Sequence, residues 1–228
     1  MVVIDRQTWL KWLQQQRTIA VIRSDRKEVA RQMALAMAAG GMQLIEITWN
    51  TDRAAELIAQ LRWELPDSII GKGTVVNLQQ LQEAQAAGAQ FVFTPHVDAT
   101  LIQASVEMDL PIVPGALSPT EILTAWNAGA SCVKVFPIQA VGGASYIKAL
   151  QGPLGNIPLI PTGGVTVENT QEFIAAGAIA VGLAGDLFPK QLVAAGNWEA
   201  IAQRATMLMQ VRFVPSKWVE ILRDGGLQ

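Results

Sequence analysis

Lys134 stands in the middle of an apolar, β-branched run, Cys132-Val133-Lys134-Val135-Phe136-Pro137, where a cation is out of place. In a strand, successive side chains face opposite ways, so Lys134 shares a face with Cys132 and Phe136 while Val133 and Val135 face the other way. Both faces read as buried. Two readings follow. A strand-end lysine snorkels to water or pairs with a carboxylate. A desolvated one loses ammonium basicity and offers a free amine for a Schiff base with a ketone.

A second charged residue occupies an equivalent place. Four segments align without gaps: Gly41-Met42-Gln43-Leu44-Ile45-Glu46, Gly88-Ala89-Gln90-Phe91-Val92-Phe93, Gly129-Ala130-Ser131-Cys132-Val133-Lys134 and Gly177-Ala178-Ile179-Ala180-Val181-Gly182. Glu46 and Lys134 hold the same position in their copies, so equivalent strands aim both toward one cavity. The alternative is a buried Lys-Glu pair kept for structure, although such pairs seldom add net stability. Polar groups and glycines gather at the neighbouring strand ends: Arg23, Thr48, Lys72 and Thr74, Thr94-Pro95-His96, Phe136-Pro137, Thr162-Gly163-Gly164, and Gly182 with Gly185. The last two loops can bind phosphate through backbone N–H groups or can simply be tight turns.

The elements that must position these residues are strands alternating with helices. Each repeat glycine follows an alanine-rich helical segment, at the place of a terminator with positive φ. Between the copies lie strands at Ile69-Ile70-Gly71, Ile112-Val113 and Leu159-Ile160, and Ile19 to Ile22 precedes them, making eight candidates. Helices are predicted over 28–39, 52–63, 78–87, 99–108, 119–128, 145–150, 167–176 and 197–210. Strict alternation with near-continuous apolar strands predicts a parallel sheet in an α/β fold, read here as a single (β/α)8 TIM barrel rather than an open doubly wound sheet. Such barrels carry their active sites at the strand C-termini. An N-terminal helix at about 5–16 packs over the barrel of about 19–210. A C-terminal extension, 211–228, includes a short helix around Trp218 to Leu222.

Composition narrows the function. The 228 residues are half hydrophobic and carry a formal charge of −2, with no basic footprint for nucleic acid or an anionic membrane. One cysteine and one histidine, Cys132 and His96, leave neither an internal disulfide nor a cysteine zinc site, and no metal is expected. No signal peptide or membrane span is evident, so a cytoplasmic location and a small-molecule substrate are expected. Tryptophans such as Trp9, Trp63, Trp126 and Trp198 suit interface anchors or core equally.

Taken together, Ala20-Val21-Ile22-Arg23, Ile45-Glu46-Ile47-Thr48, Gly71-Lys72-Gly73-Thr74-Val75, Thr94-Pro95, Val113-Pro114-Gly115, Val133 to Pro137 and Pro161 to Val165 resemble the class I aldolases that cleave 2-keto-3-deoxy-6-phosphogluconate (KDPG) or 4-hydroxy-2-oxoglutarate (KHG). The resemblance spans roughly 19–189. It implies a homotrimer of (β/α)8 barrels, no cofactor, Lys134 as the Schiff-base lysine and Glu46 as the proton shuttle. It further implies that Thr74 binds the pyruvate carboxylate, that Pro95, Phe136 and Thr162 shape the pocket, and that Arg23, Gly163 and Gly164 meet the phosphate end.

Three positions depart from the family pattern. Asn50 replaces an arginine that contacts the substrate carboxylate, and a neutral amide does not match a bidentate guanidinium. Lys72 stands where a small residue is usual. It either turns inward beside Thr74 to restore the charge and depress Lys134, or reaches outward between two glycines. Asp186 replaces a hydroxyl in the loop after the eighth strand, where it caps a helix or repels phosphate. The expected activity is cleavage of a 4-hydroxy-2-keto acid to pyruvate and an aldehyde, with KDPG first. The same lysine would serve a 4-hydroxy-2-oxoglutarate aldolase or an oxaloacetate decarboxylase, and a non-catalytic metabolite-binding barrel is the reading from another class.

Overall fold

The computed structural model describes residues 4–211 and Trp218. Among them are ten α-helices and nine short strands. In chain order they are α1 (Arg6–Gln16), β1 (Thr18–Ile22), α2 (Lys27–Ala39), β2 (Leu44–Thr48), α3 (Ala54–Glu64), β3 (Ile69–Gly73), α4 (Leu78–Ala86), β4 (Val92–Phe93), α5 (Ala99–Glu107), β5 (Ile112–Val113), β6 (Gly115–Ala116), α6 (Pro119–Asn127), β7 (Val133–Val135), α7 (Ala144–Leu154), β8 (Leu159–Pro161), α8 (Thr170–Ala175), β9 (Val181–Leu183), α9 (Lys190–Ala194) and α10 (Trp198–Met209). A 3-10 turn, Ile138–Val141, precedes α7.

All pairings are parallel, and the sheet curls. One part runs β5-β4-β3-β2-β1-β9 and the other β6-β7-β8. The predicted strand Ile112–Val113 is β5, and Pro114, which has no N–H to give its neighbour, separates it from a further short strand, β6. Its carbonyl still accepts from Lys134 N–H at 2.9 Å. Between β8 and β9, Ile179 N–H donates to Leu159 at 3.0 Å, and Thr162 bridges Gly182.

The repeat glycines do what their spacing predicts. Gly41, Gly88, Gly129 and Gly177 all have positive φ. Behind each, the next N–H reaches back to a carbonyl five residues earlier, as Met42 does to Met37 and Ala178 to Phe173. A fifth helix end uses the same device without glycine: Asp109 takes φ 52° and Leu110 N–H returns to Ser105. Helix limits shift by a few residues from those predicted. The α3 helix starts at Ala54 rather than at Asp52 because Arg53 is left-handed, at φ 49°. The α7 helix runs through Gly152-Pro153 to Leu154, and the sequence reading missed α9.

Two apolar clusters follow from strand alternation. The larger lies between the sheet and the helices and holds Ile45, Ile47, Ile70, Val92, Val133 and Val135. The smaller lies inside the curl and holds Ile19, Leu44, Ile69, Phe91, Phe93, Cys132 and Ile160. The α1 helix closes one end of this inner cluster with Trp9, Leu10 and Leu13, and Trp9 stacks on Phe91 at 4.5 Å. Trp218 is fully buried in the same cluster, and its indole N–H donates to Gly177. The rest of the predicted helix at 218–222 lies outside the described residues. Trp9 and Trp218 are thus core, whereas Trp63 on α3 is 82% exposed. No helix among the described residues is long and apolar enough to cross a membrane.

Candidate active site

Register carries Glu46 and Lys134 to the inner face. Glu46 pairs with Gly71 on β3, and Lys134 pairs with Gly115 and Ile160 on β6 and β8. Glu46 is buried, and Lys134 is part-buried. The lysine Nζ lies 4.5 Å from the Phe136 ring centroid and 5.8 Å from that of Phe93. The walls around the amine are therefore aromatic, and Phe136 itself is part-exposed at the rim.

Burial dominates the electrostatics of both groups. It pushes the Lys134 ammonium below the usual lysine range; Glu46 opposes this and Arg23 adds to it. It pushes the Glu46 carboxyl up, against the pull of Lys134 and Arg23. No direct ion pair joins Glu46 and Lys134 among the described residues. Each group nevertheless acts on the other's charge. Arg23, exposed at the end of β1, acts on both.

The β3 end is built around Glu46. Gly71 leaves space that the Phe91 ring occupies, and Gly73 leaves space for the Glu46 carboxylate. Thr74 follows with φ 61°, an unfavourable conformation for a β-branched residue that costs about 1–3 kcal/mol. Thr48 is buried, its Oγ1 lying 3.3 Å from that of Thr51. Asn50 is exposed in the turn that follows.

Lys72 does not join this group. Gly71 and Gly73 face inward with Glu46, so alternation sends Lys72 outward, where it pairs with Ile47 and Val92 of the outer cluster. The inward placement beside Thr74 fails for a second reason. β3 ends at Gly73, and the left-handed backbone at Thr74 breaks the alternation. Lys72 is fully buried, with its Nζ 3.5 Å from the Trp49 ring centroid.

The remaining predicted residues line the same end of the sheet. The Pro95 carbonyl would lie 2.6 Å from a Cβ at Gly115, so only glycine allows these strand ends to approach. Thr162 is buried against Gly182, and Gly163 and Gly164 have φ of 86° and 96°. A Cβ at Gly185 would meet open space. Asp186 caps no helix: its carboxylate accepts from Val167 N–H at 2.9 Å and from Arg204 at 3.3 Å. It is thus tied to the loop before α8 and to α10. His96 is exposed beside a cleft of about 400 Å³ lined also by Pro95, Leu117, Glu121 and Phe136. Phe136, whose ring lies beside the Lys134 amine, is a wall of this cleft too. Among the described residues, no group of three or more His, Cys, Asp or Glu side chains is placed to hold a metal ion.

A buried amine of lowered basicity, a buried carboxyl of raised pKa and an anion-compatible rim suit imine chemistry on a small keto acid. Comparison with known proteins agrees with that chemistry. A family model described as KDPG and KHG aldolase matches residues 10–204. A 2-dehydro-3-deoxy-phosphogluconate aldolase of Treponema pallidum is 36% identical over 87% of this chain and 95% of its own length. A KHG/KDPG aldolase of Escherichia coli K12 is 33% identical over 82% and 88%. The crystal structure of a KDPG aldolase from Legionella pneumophila, with pyruvate captured as a covalent carbinolamine, superposes with a TM-score of 0.81 at 28% identity, covering 90% of this chain and 98% of that one. On these matches, the chain belongs to the KDPG and KHG aldolase family.

Proposed function

We propose that this aldolase cleaves a 4-hydroxy-2-keto acid to pyruvate and an aldehyde, with 2-dehydro-3-deoxy-6-phosphogluconate giving pyruvate and glyceraldehyde 3-phosphate as its first reaction. The observation that carries the reading is the placing of Lys134 and Glu46 in one buried field that lowers the basicity of the amine and raises that of the carboxylate. The relatives named for this substrate support the choice.

The neutral Lys134 amine attacks the C2 ketone, and the carbinolamine loses water to an iminium. Glu46, directly or through a water, takes the C4 hydroxyl proton. The C3–C4 bond then breaks, its electron pair enters the iminium to form an enamine, and the aldehyde leaves. Glu46 returns the proton to C3, and water hydrolyses the new iminium to free pyruvate and Lys134. The iminium is the electron sink, so the route requires no metal. Arg23, Thr74, Gly163, Gly164, Gly182 and Gly185 hold the two anionic ends of the substrate, and Pro95, Phe136 and Thr162 bound the pocket.

The curl of the sheet is read as a closed (β/α)8 barrel forming one domain, supported by the continuity of β5 with β6 and by the contacts between β8 and β9. A homotrimer rests on the family resemblance, and sedimentation analysis tests it. For the activity, borohydride reduction with pyruvate followed by peptide mapping is decisive: an adduct on Lys134 is expected, and its absence or a different site overturns the reading. Chelator-treated enzyme should retain its rate.

A further inference from the structure

Lys72 is a costly buried side chain that the proposed chemistry leaves idle. It is fully buried, and its ammonium has no hydrogen-bond partner among the described residues. Methionine or leucine would fill such a place in an apolar layer at lower cost. Its contact is instead the face of Trp49, at 3.5 Å from the ring centroid.

Trp49 opens the turn between β2 and α3, directly after Thr48 and before Asn50. On the β1 side the turn is well tied. Thr51 Oγ1 donates to Ile22, Asp52 N–H to Ser24, and the Asp52 carboxylate accepts from Lys27 N–H. On the β3 side the ties are fewer: Trp49 N–H donates to Gly73 at 2.8 Å, and the indole lies on Lys72.

We propose that Lys72 is a positioning residue for keto-acid binding: its buried ammonium, seated on the Trp49 indole, anchors the β2–α3 turn to β3 and so fixes the rim of the Lys134 cavity where Asn50 stands. The inference rests on the aldolase reading and adds a residue that touches no substrate. It gives the buried charge a purpose that apolar packing cannot supply.

The surroundings leave the ammonium to Trp49. β2 and β4 present Ile47 and Val92 beside it, and the charged groups of α3 are engaged elsewhere: Glu56 with Arg53, Arg62 with Gln90 and Glu64 with Arg31. Glu83 on α4 is the charge that acts on Lys72, holding its pKa up against the burial that lowers it to about 8. The anchor is therefore at full strength near neutrality and weakens on the alkaline side.

The test compares wild type with Lys72→Met, Lys72→Arg and Trp49→Leu in KM, kcat and thermal stability between pH 6.5 and 9.5. Lys72→Met should raise KM for the keto acid roughly three- to tenfold at pH 7, more than it lowers kcat, and should lack the rise of KM expected of wild type above about pH 8. It should melt higher than wild type, the opposite of what loss of a structural prop would do. Lys72→Arg, a permanent cation, should restore KM at least in part. Unchanged KM and an unchanged alkaline limb in Lys72→Met overturn the proposal, as does a lower melting temperature with KM unaffected. If Lys72→Met does not fold, Trp49→Leu decides: the same KM shift supports the anchor and wild-type KM refutes it. Borohydride trapping of pyruvate in every variant separates the two readings, since failure in wild type itself would indict the aldolase mechanism rather than the anchor.

Discussion

A Cβ on Gly73 would lie 1.7 Å from Oε1 of Glu46. The carboxylate thus occupies the volume that a side chain on the neighbouring strand would need, and its orientation depends on a residue with no functional group.

Gly73→Ala should therefore displace Glu46 while leaving Lys134 in place. In the proposed mechanism kcat falls by about 10²-fold or more, the range for loss of a general acid–base group. Pyruvate should still be trapped on Lys134 by borohydride, because imine formation needs the amine first. A Gly73→Ala enzyme with wild-type kcat would show that Glu46 does not move protons.

Arg23 acts on both members of the pair. Its positive charge lowers the pKa of the Lys134 ammonium and of the Glu46 carboxyl. Removing it favours the protonated form of each, so Arg23→Gln should move the acid limb of the pH–kcat/KM profile to higher pH. A limb that stays in place or moves to lower pH contradicts the shared field. If Arg23 also meets the phosphate end, KM for phosphorylated substrates should rise more than KM for 4-hydroxy-2-oxoglutarate.

Asn50 stands where the family resemblance leads one to expect an arginine. Restoring the guanidinium with Asn50→Arg should lower KM for the keto acid by about tenfold, the worth of one charge-assisted bidentate contact. Steady-state kinetics on KDPG, 4-hydroxy-2-oxoglutarate and oxaloacetate would also show which substrate gains most. A raised KM would mean that another group already fills the position.

Lys72 makes stability depend on pH in a definite direction. Its pKa is about 8 in the folded chain against an ordinary 10.5, so the unfolded chain binds more protons between these values. Stability is gained as pH rises from about 8 toward 10.5, a span of about 3 kcal/mol, and the contribution is constant below about pH 8, where both states hold the proton. Urea unfolding of wild type and Lys72→Met at pH 7.5 and 9.5 should show this gain in wild type alone.

Where glycines punctuate helices and β-branched residues mark strands, the alternating elements of a parallel α/β fold were readable from the sequence. The four positive-φ glycines and the equivalence of Glu46 with Lys134 are examples, because both depend on spacing alone. Lys72 was not readable. In Gly71-Lys72-Gly73-Thr74 the flanking glycines carry no apolar signature to mark a face, and the left-handed turn at Thr74 cancels the alternation that would have settled it. The division at Pro114, the glycine-free turn at Asp109 and the two partners of Asp186 were hidden for a related reason. Each depends on a neighbour distant in sequence or on a backbone angle that the residue type does not announce.

Trp218 and Trp9 come from opposite ends of the chain and lie in one apolar cluster at the same end of the curled sheet. The sheet therefore has a floor laid by residues far apart in sequence, at the end opposite the strand C-termini that carry the proposed site. Clipping the tail before Trp218 would damage that floor first. The loss should register in the packing around Trp9 and Phe91 and in resistance to heat, well before it is felt at Lys134.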